Sequence, residues 1–317
     1  MFSQNKRAKD STSILSFADK IIIKVNIDTQ TDSYNIRSEN EPELQLSANN
    51  QFKLGLSLDY EFIGFSFGYA PKFFPGNNDD DLKGKSSFVD YRFRFFLKNW
   101  TQELHYKNVQ GFYVENTNDF DSDWVEGQDP YIQFPDLKTT FWGGSTSYVL
   151  NPKFSLRNVV YNTEWQRKSA GSFIPTLTYN HIYISDRSND EKAYENIFDI
   201  GISPRYYYSL VMHKNWFVSA FASPSLSIRF SKEKGPDVEN SDIYWPLSIL
   251  GGLQIGYSSN RIISGLDLKY ESTYYSDSVK TDITNDMFYA KLYFGYRFDV
   301  PKKVEKYLNK IKNKRSQ

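Results

Sequence analysis

Residues 287–300, MFYAKLYFGYRFDV, alternate without a break. Phe288, Ala290, Leu292, Phe294, Tyr296, Phe298 and Val300 fall on one side of an extended chain, and Tyr289, Lys291, Tyr293, Gly295 and Arg297 on the other. A half-buried soluble sheet turns its cations to water and packs the apolar side on a core. Because many other segments repeat the pattern, the economical reading is a closed barrel, with lipid outside and a polar lumen inside.

The same period of two runs through 52–60, 63–70, 89–97, 139–150, 173–185, 198–210, 216–230, 247–257 and 262–271, and 101–115 and 154–166 complete the set. In 89–97, Val89, Tyr91, Phe93, Phe95 and Leu97 alternate with Asp90, Arg92, Arg94 and Phe96, so two arginines occupy consecutive inward positions. These segments predict an all-β transmembrane antiparallel barrel of about 12 strands, or 14 as the alternative count, each long enough to cross a bilayer when tilted. Soluble strands average about 5 to 6 residues, so length favours the barrel over a sandwich. One conflict is visible: the connections at 166–172 and 186–195 do not keep a short and long alternation. A missed strand, an in-folded segment, or a wall built partly from residues 20–47 would repair it.

Tyr (24) and Phe (25) far exceed Trp (6), a bias suited to strands and to aromatic girdles. Basic and acidic residues balance at 38 each, which leaves no global field for nucleic acid. Cysteine is absent, which excludes thiolate catalysis, thiolate metal sites and disulfides. No window holds the roughly 18 apolar residues of a membrane helix, a test that a barrel evades because lumen residues dilute its apolar ones.

The chain divides into a flexible leader at 1–19, a barrel at 20–300 with its wall clearest over 52–300, and a basic periplasmic tail at 301–317. MFSQNKRAKDSTS lacks the apolar core of a secretory signal, so Met1 is expected to be an added or late start and Phe2-Ser3-Gln4 the remnant of a removed signal. Ile14, Leu15 and Phe17 are expected to form a short docking turn. After Val300, Val304, Tyr307, Leu308 and Ile311 take helical spacing in a lysine-rich stretch that Pro301 can open, which predicts a short basic C-terminal helix.

Three stretches carry a resemblance: GKSSFVD at 84–90 running on to VQGFY at 109–113, YVLNPKFSLR at 148–157, and EWQRKSAGS at 164–172. Together they resemble the bacterial envelope family called domain of unknown function 4421, over about residues 20–300. The resemblance implies an outer-membrane barrel and supplies no activity, substrate or catalytic residue. In its most specific piece, Gln166, Lys168, Ser169, Gly171 and Ser172, the small residues suit either a tight bend between strands or a segment folded into the lumen.

Asp90, Arg92, Arg94, Glu103, Lys107, Arg205, Arg229, Asp267, Lys269, Glu271, Lys291 and Arg297 share the inward parity and are expected to line the lumen, with Asp59 and Asp199 among them. Mixed signs at matched depths suit a salt-bridged filling or a selectivity lining. In a wall of about 12 strands long side chains largely fill the interior, which favours a closed structural barrel over an open channel. His181 falls outward beside Tyr179 and Tyr183, an aromatic-belt position; a barrel esterase would need a serine beside it. Neither 79–81 nor 119–123 has the offsets of a calcium loop. No catalytic residue, metal or cofactor is expected. The partners expected are outer-membrane lipid and other envelope proteins, not nucleic acid.

Overall fold

The computed structural model describes residues 13–29, 32–37, 42–187, 193–236, 239–276 and 282–301. Its strands are β1 (Ile14–Ser16), β2 (Lys20–Asp28), β3 (Ser33–Arg37), β4 (Leu44–Ser47), β5 (Lys53–Tyr60), β6 (Ile63–Tyr69), β7 (Ser87–Leu97), β8 (Trp100–Val114), β9 (Gln133–Tyr148), β10 (Glu164–Gln166), β11 (Ala170–Asp186), β12 (Ala193–Val211), β13 (Trp216–Lys234), β14 (Glu239–Tyr244), β15 (Leu247–Ser258), β16 (Ile262–Ser276) and β17 (Asp282–Asp299). Twelve of them, β2, β5 to β9, β11 to β13 and β15 to β17, close antiparallel into one ring, sealed where β17 pairs β2 with Phe294 opposite Val25. Closure leaves no unpaired edge for hydrocarbon to meet.

Period-two alternation explains the wall. Rows of apolar side chains run unbroken across strand pairs: Ile23, Leu58, Phe65, Phe93 and Leu104 oppose one another in turn around one arc. On the other side, Leu253 faces Leu268 and Leu266 faces Leu292. Every wall strand carries at least one large exposed hydrophobic, from Trp142 on β9 to Ile202, 62% exposed, on β12. That surface is far larger than a soluble monomer leaves open and fits lipid. At the end with short turns, Trp100 packs on Tyr148 and Trp216 on Tyr257, the start of an aromatic girdle. Two of those turns are tight enough to force Glu61 and Lys98 into the left-handed region.

The count of 12 agrees with the sequence, but its membership differs by one. Residues 154–166, expected as a wall strand, instead form a π-helical turn at Arg157–Tyr161 and the short β10. Their apolar residues, Phe154, Leu156 and Val159, pack inward on Ile174 and Tyr207 of the wall. β2 takes the vacated place. Of the expected leader, residues 13–19 are anchored: β1 pairs β10, and Phe17 is buried with Ile22 and Ile263. The expected C-terminal helix lies outside the described residues.

The long-loop end is built differently. There β3 pairs the first residues of β17, and β4 pairs β3 and the last residues of β8. Between β17 and β8 the ring is thus made by β2, β5, β6 and β7 in its lower part and by β3 and β4 in its upper part. Strand β8 changes partner at a bulge between Gln110 and Phe112. Gly111 makes it possible, at φ 86° with its α-carbon so near the Lys85 carbonyl that an added Cβ would lie 2.1 Å from that oxygen.

Candidate functional site

Residues 149–169, joining β9 to β11, turn into the barrel and floor the lumen at the short-turn end. Three wall strands hold this plug by three neighbouring carbonyls. Gln254 of β15 donates to Val159 O at 3.0 Å, Lys24 of β2 to Tyr161 O at 2.5 Å, and Arg297 of β17 to Asn162 O at 2.9 Å. Asn162 adopts a left-handed conformation that ends the π-helical turn and presents those carbonyls. Arg297 is fully buried; it also donates to Ser258 Oγ at 3.1 Å and to the Ser259 carbonyl, and lies 3.8 Å over the Phe17 ring. It was expected to line the lumen and instead rivets the plug to the last strand and the N-terminal segment.

Inside the plug, Gln166 is a hub, its amide donating to Lys153 O and Lys168 O while its oxygen accepts from Ser155 N at 2.7 Å. Ser155 Oγ donates to Glu164 at 2.6 Å, and Glu164 lies 3.8 Å from Arg157. Burial pushes the Arg157 guanidinium below its ordinary value and the Tyr161 phenol above its own. Arg157 sits over Phe96 at 4.6 Å, Arg94 over Tyr161 at 5.2 Å, and Phe96 meets Tyr161 edge-on.

Above the plug lies a cavity of about 280 Å³. Seven cations line it, and five are matched by carboxylates. Lys24 and Arg94 share Asp59 at 3.4 and 3.8 Å. Arg92 makes two 3.1 Å bonds to Asp90, which also meets His105 at 2.8 Å. Lys53 lies 3.1 Å from Asp32, and Lys291 3.2 Å from Asp267. The other two, Arg205 and Lys269, form no ion pair with a described acid, although Glu103 also lines the cavity. Burying a charge requires such matching, so the lumen walls are mostly self-neutralised.

Asp90, Arg92, Arg94, Glu103, Arg205, Asp267, Lys269 and Lys291 therefore face one cavity. Lys107 and Arg229 do not; the first binds Asp32 at 2.6 Å, and the second pairs with Asp199 at 3.1 Å beneath the Tyr275 ring. Glu271 is half-buried on β16, opposite Leu250 and Met287.

The family described as a domain of unknown function (DUF4421) matches residues 8–298. The chain belongs to the DUF4421 family. No curated protein matches this sequence. Solved structures similar to the DUF4421 barrel include the outer membrane protease OmpT from Escherichia coli, at 7% identity over 92% of this chain and 100% of that one, with a TM-score of 0.42. An outer membrane channel from Pseudomonas putida F1 matches at 9% identity over 90% and 96%, with a TM-score of 0.40. LpxR from Salmonella typhimurium matches at 10% over 87% and 99%, with a TM-score of 0.36.

The most specific DUF4421 stretch lies where plug meets wall. Gln166 and Ser172 are buried, and Lys168 and Ser169 are exposed. Ser169 Oγ accepts from Val211 N at 3.0 Å, Ser172 Oγ from Asn151 N at 2.9 Å, and Gly171 O from Asn151 Nδ2 at 2.7 Å. The stretch thus returns the chain from plug to β11. Lys24, Asp32 and Tyr161 were missed by sequence reasoning because their roles depend on the plug and on β2 belonging to the wall. The inward parity of Lys24 within KIIIKVNID was the available signal for the first of them.

Proposed function

We propose that this DUF4421 protein is an outer-membrane barrel of the Gram-negative envelope, with its short turns on the periplasmic side, that serves as a closed structural component and not as an open solute channel. One observation carries the reading: Gln254, Lys24 and Arg297, from three wall strands, grip consecutive parts of one in-folded segment across the lumen. A floor held on several sides by buried donors is a fixed part of the fold. The exposed apolar band around all 12 strands supports the membrane setting. A serine-dependent barrel esterase would need a serine beside an imidazole at the lipid boundary. His181 instead stacks on Phe198 and meets Asn196 Oδ1 at 3.3 Å, which supports a non-enzymatic barrel.

The test is planar-bilayer recording of the purified chain beside a variant in which residues 151–168 are replaced by a short glycine-serine turn. The intact chain is expected to give no steady conductance, and the plug-less variant discrete openings. Equal steady conductance from both would overturn the closed-barrel reading.

A further inference from the structure

The lumen cavity has two unlike halves. Its floor is apolar, made by Leu156 and Val159 of the plug with Ile174, Tyr207 and Phe221 of the wall. Above that floor the lining is charged, and the charges are not all accounted for. Lys24, Lys53, Arg92, Arg94 and Lys291 each have a carboxylate within ion-pair distance, whereas Arg205 and Lys269 have none among the described residues. Arg205 Nε is buried and makes no hydrogen bond. A cation on a half-buried wall without a counter-charge is costly, and an anion bound in the cavity relieves that cost. Glu103, on the same lining, forms no ion pair with either cation.

We propose that this cavity is a binding site for one compact organic anion, its carboxylate held by Arg205 and Lys269 and its apolar body resting on Leu156, Val159 and Phe221; the proposal rests on the barrel being closed below by the plug. Arginine offers a planar fork matched to a carboxylate, and lysine adds a point charge. A cavity of about 280 Å³ is at the small end of ligand pockets, which run roughly 300–1,000 Å³, so the body is of single-ring or short-chain size. Apolar lining with a few placed polar groups is the usual composition of such a pocket.

Isothermal titration of the purified full chain in detergent micelles decides it, with benzoate as the probe, benzyl alcohol as its neutral match, inorganic phosphate as an anion without an apolar body, and empty micelles as the blank. Benzoate is expected to bind saturably at one site. The Arg205→Gln, Lys269→Gln double variant is expected to lose at least tenfold in affinity, and Arg205→Lys to lose less. Heat-modifiable mobility on gels confirms that each variant is folded. No saturable benzoate binding to the folded chain, unchanged binding in the double variant, or equal binding of benzyl alcohol or phosphate would overturn the proposal. Absence of binding in a chain that also gives no conductance sinks the anion site alone, whereas steady conductance sinks the closed barrel with it.

Discussion

Lys107 Nζ lies 2.6 Å from Asp32 Oδ1, joining a wall strand to the connection that leaves β2. Lys53 reaches the other oxygen of the same carboxylate at 3.1 Å, and the Asp32 side chain is only 3% exposed. The cluster marks the seam where β3 and β4 take over the ring from β2 and β5. Asp32→Ala would strand two ammonium groups in a site built for a carboxylate. Breaking a buried pair in this way costs about 3–5 kcal/mol. A lowered urea midpoint in micelles or liposomes checks this.

The same carboxylate predicts a pH dependence. Burial alone pushes Asp32 up, but Lys107 and Lys53 outweigh it and hold it well below the usual carboxylate range. A group with a depressed native pKa stabilises the fold fully above its unfolded value, about 3.9, and that stability fades as pH falls toward the native value. Stability in acid should therefore fall for the natural chain below about pH 4 more steeply than for Asp32→Asn, measured as urea midpoint against pH.

Arg297→Gln should loosen the plug without opening the wall. Each charged hydrogen bond lost is worth about 1.5–3 kcal/mol. Arg167 and Lys168 are exposed beside β10, so trypsin should cut there faster in the variant. Cleavage at an unchanged rate would show that the arginine does not hold the segment.

Gly111→Ala should destabilise the upper part of the ring, because a positive φ and the Lys85 carbonyl leave no room for a methyl group. Strain of this kind costs about 1–3 kcal/mol. Hydrogen exchange should rise first at β4 and at residues 112–114 of β8, ahead of the lower wall.

Ile202→Arg tests the lipid-facing band at its middle, where Ile202 opposes Leu177 and Leu226. An arginine at the midplane of a barrel costs about 2–4 kcal/mol. A neutral effect in liposome refolding would mean that this face does not meet hydrocarbon.

Where a strand alternates, the sequence declared it, because each apolar residue of the outer row answers to the same lipid whatever its neighbours do. Hence 287–300 and 198–210 are legible from end to end. Residues 154–166 misled because Phe154, Leu156, Val159 and Tyr161 are spaced by two, three and two, close enough to strand periodicity to pass, although they face the wall from within. KIIIKVNID at 20–28 was readable as a strand but not as a wall member, since 24 residues separate β2 from β5. The inward side of Arg297 could be read, but its use could not: Asn162, its plug acceptor, is 135 residues away. That Arg205 meets no carboxylate among the described residues could not be read from its inward parity, because ion pairing depends on which strands become neighbours.

Strand β17 meets β2 through residues 291–299 and β3 through residues 282–284. The beginning of the chain is thus stitched to its end twice, at two heights. Neither stitch can be made until the final strand has been synthesised and delivered, so sealing the membrane wall and finishing the rim above it belong to one late step of assembly. A polypeptide cut short before residue 282 would leave both seams gaping.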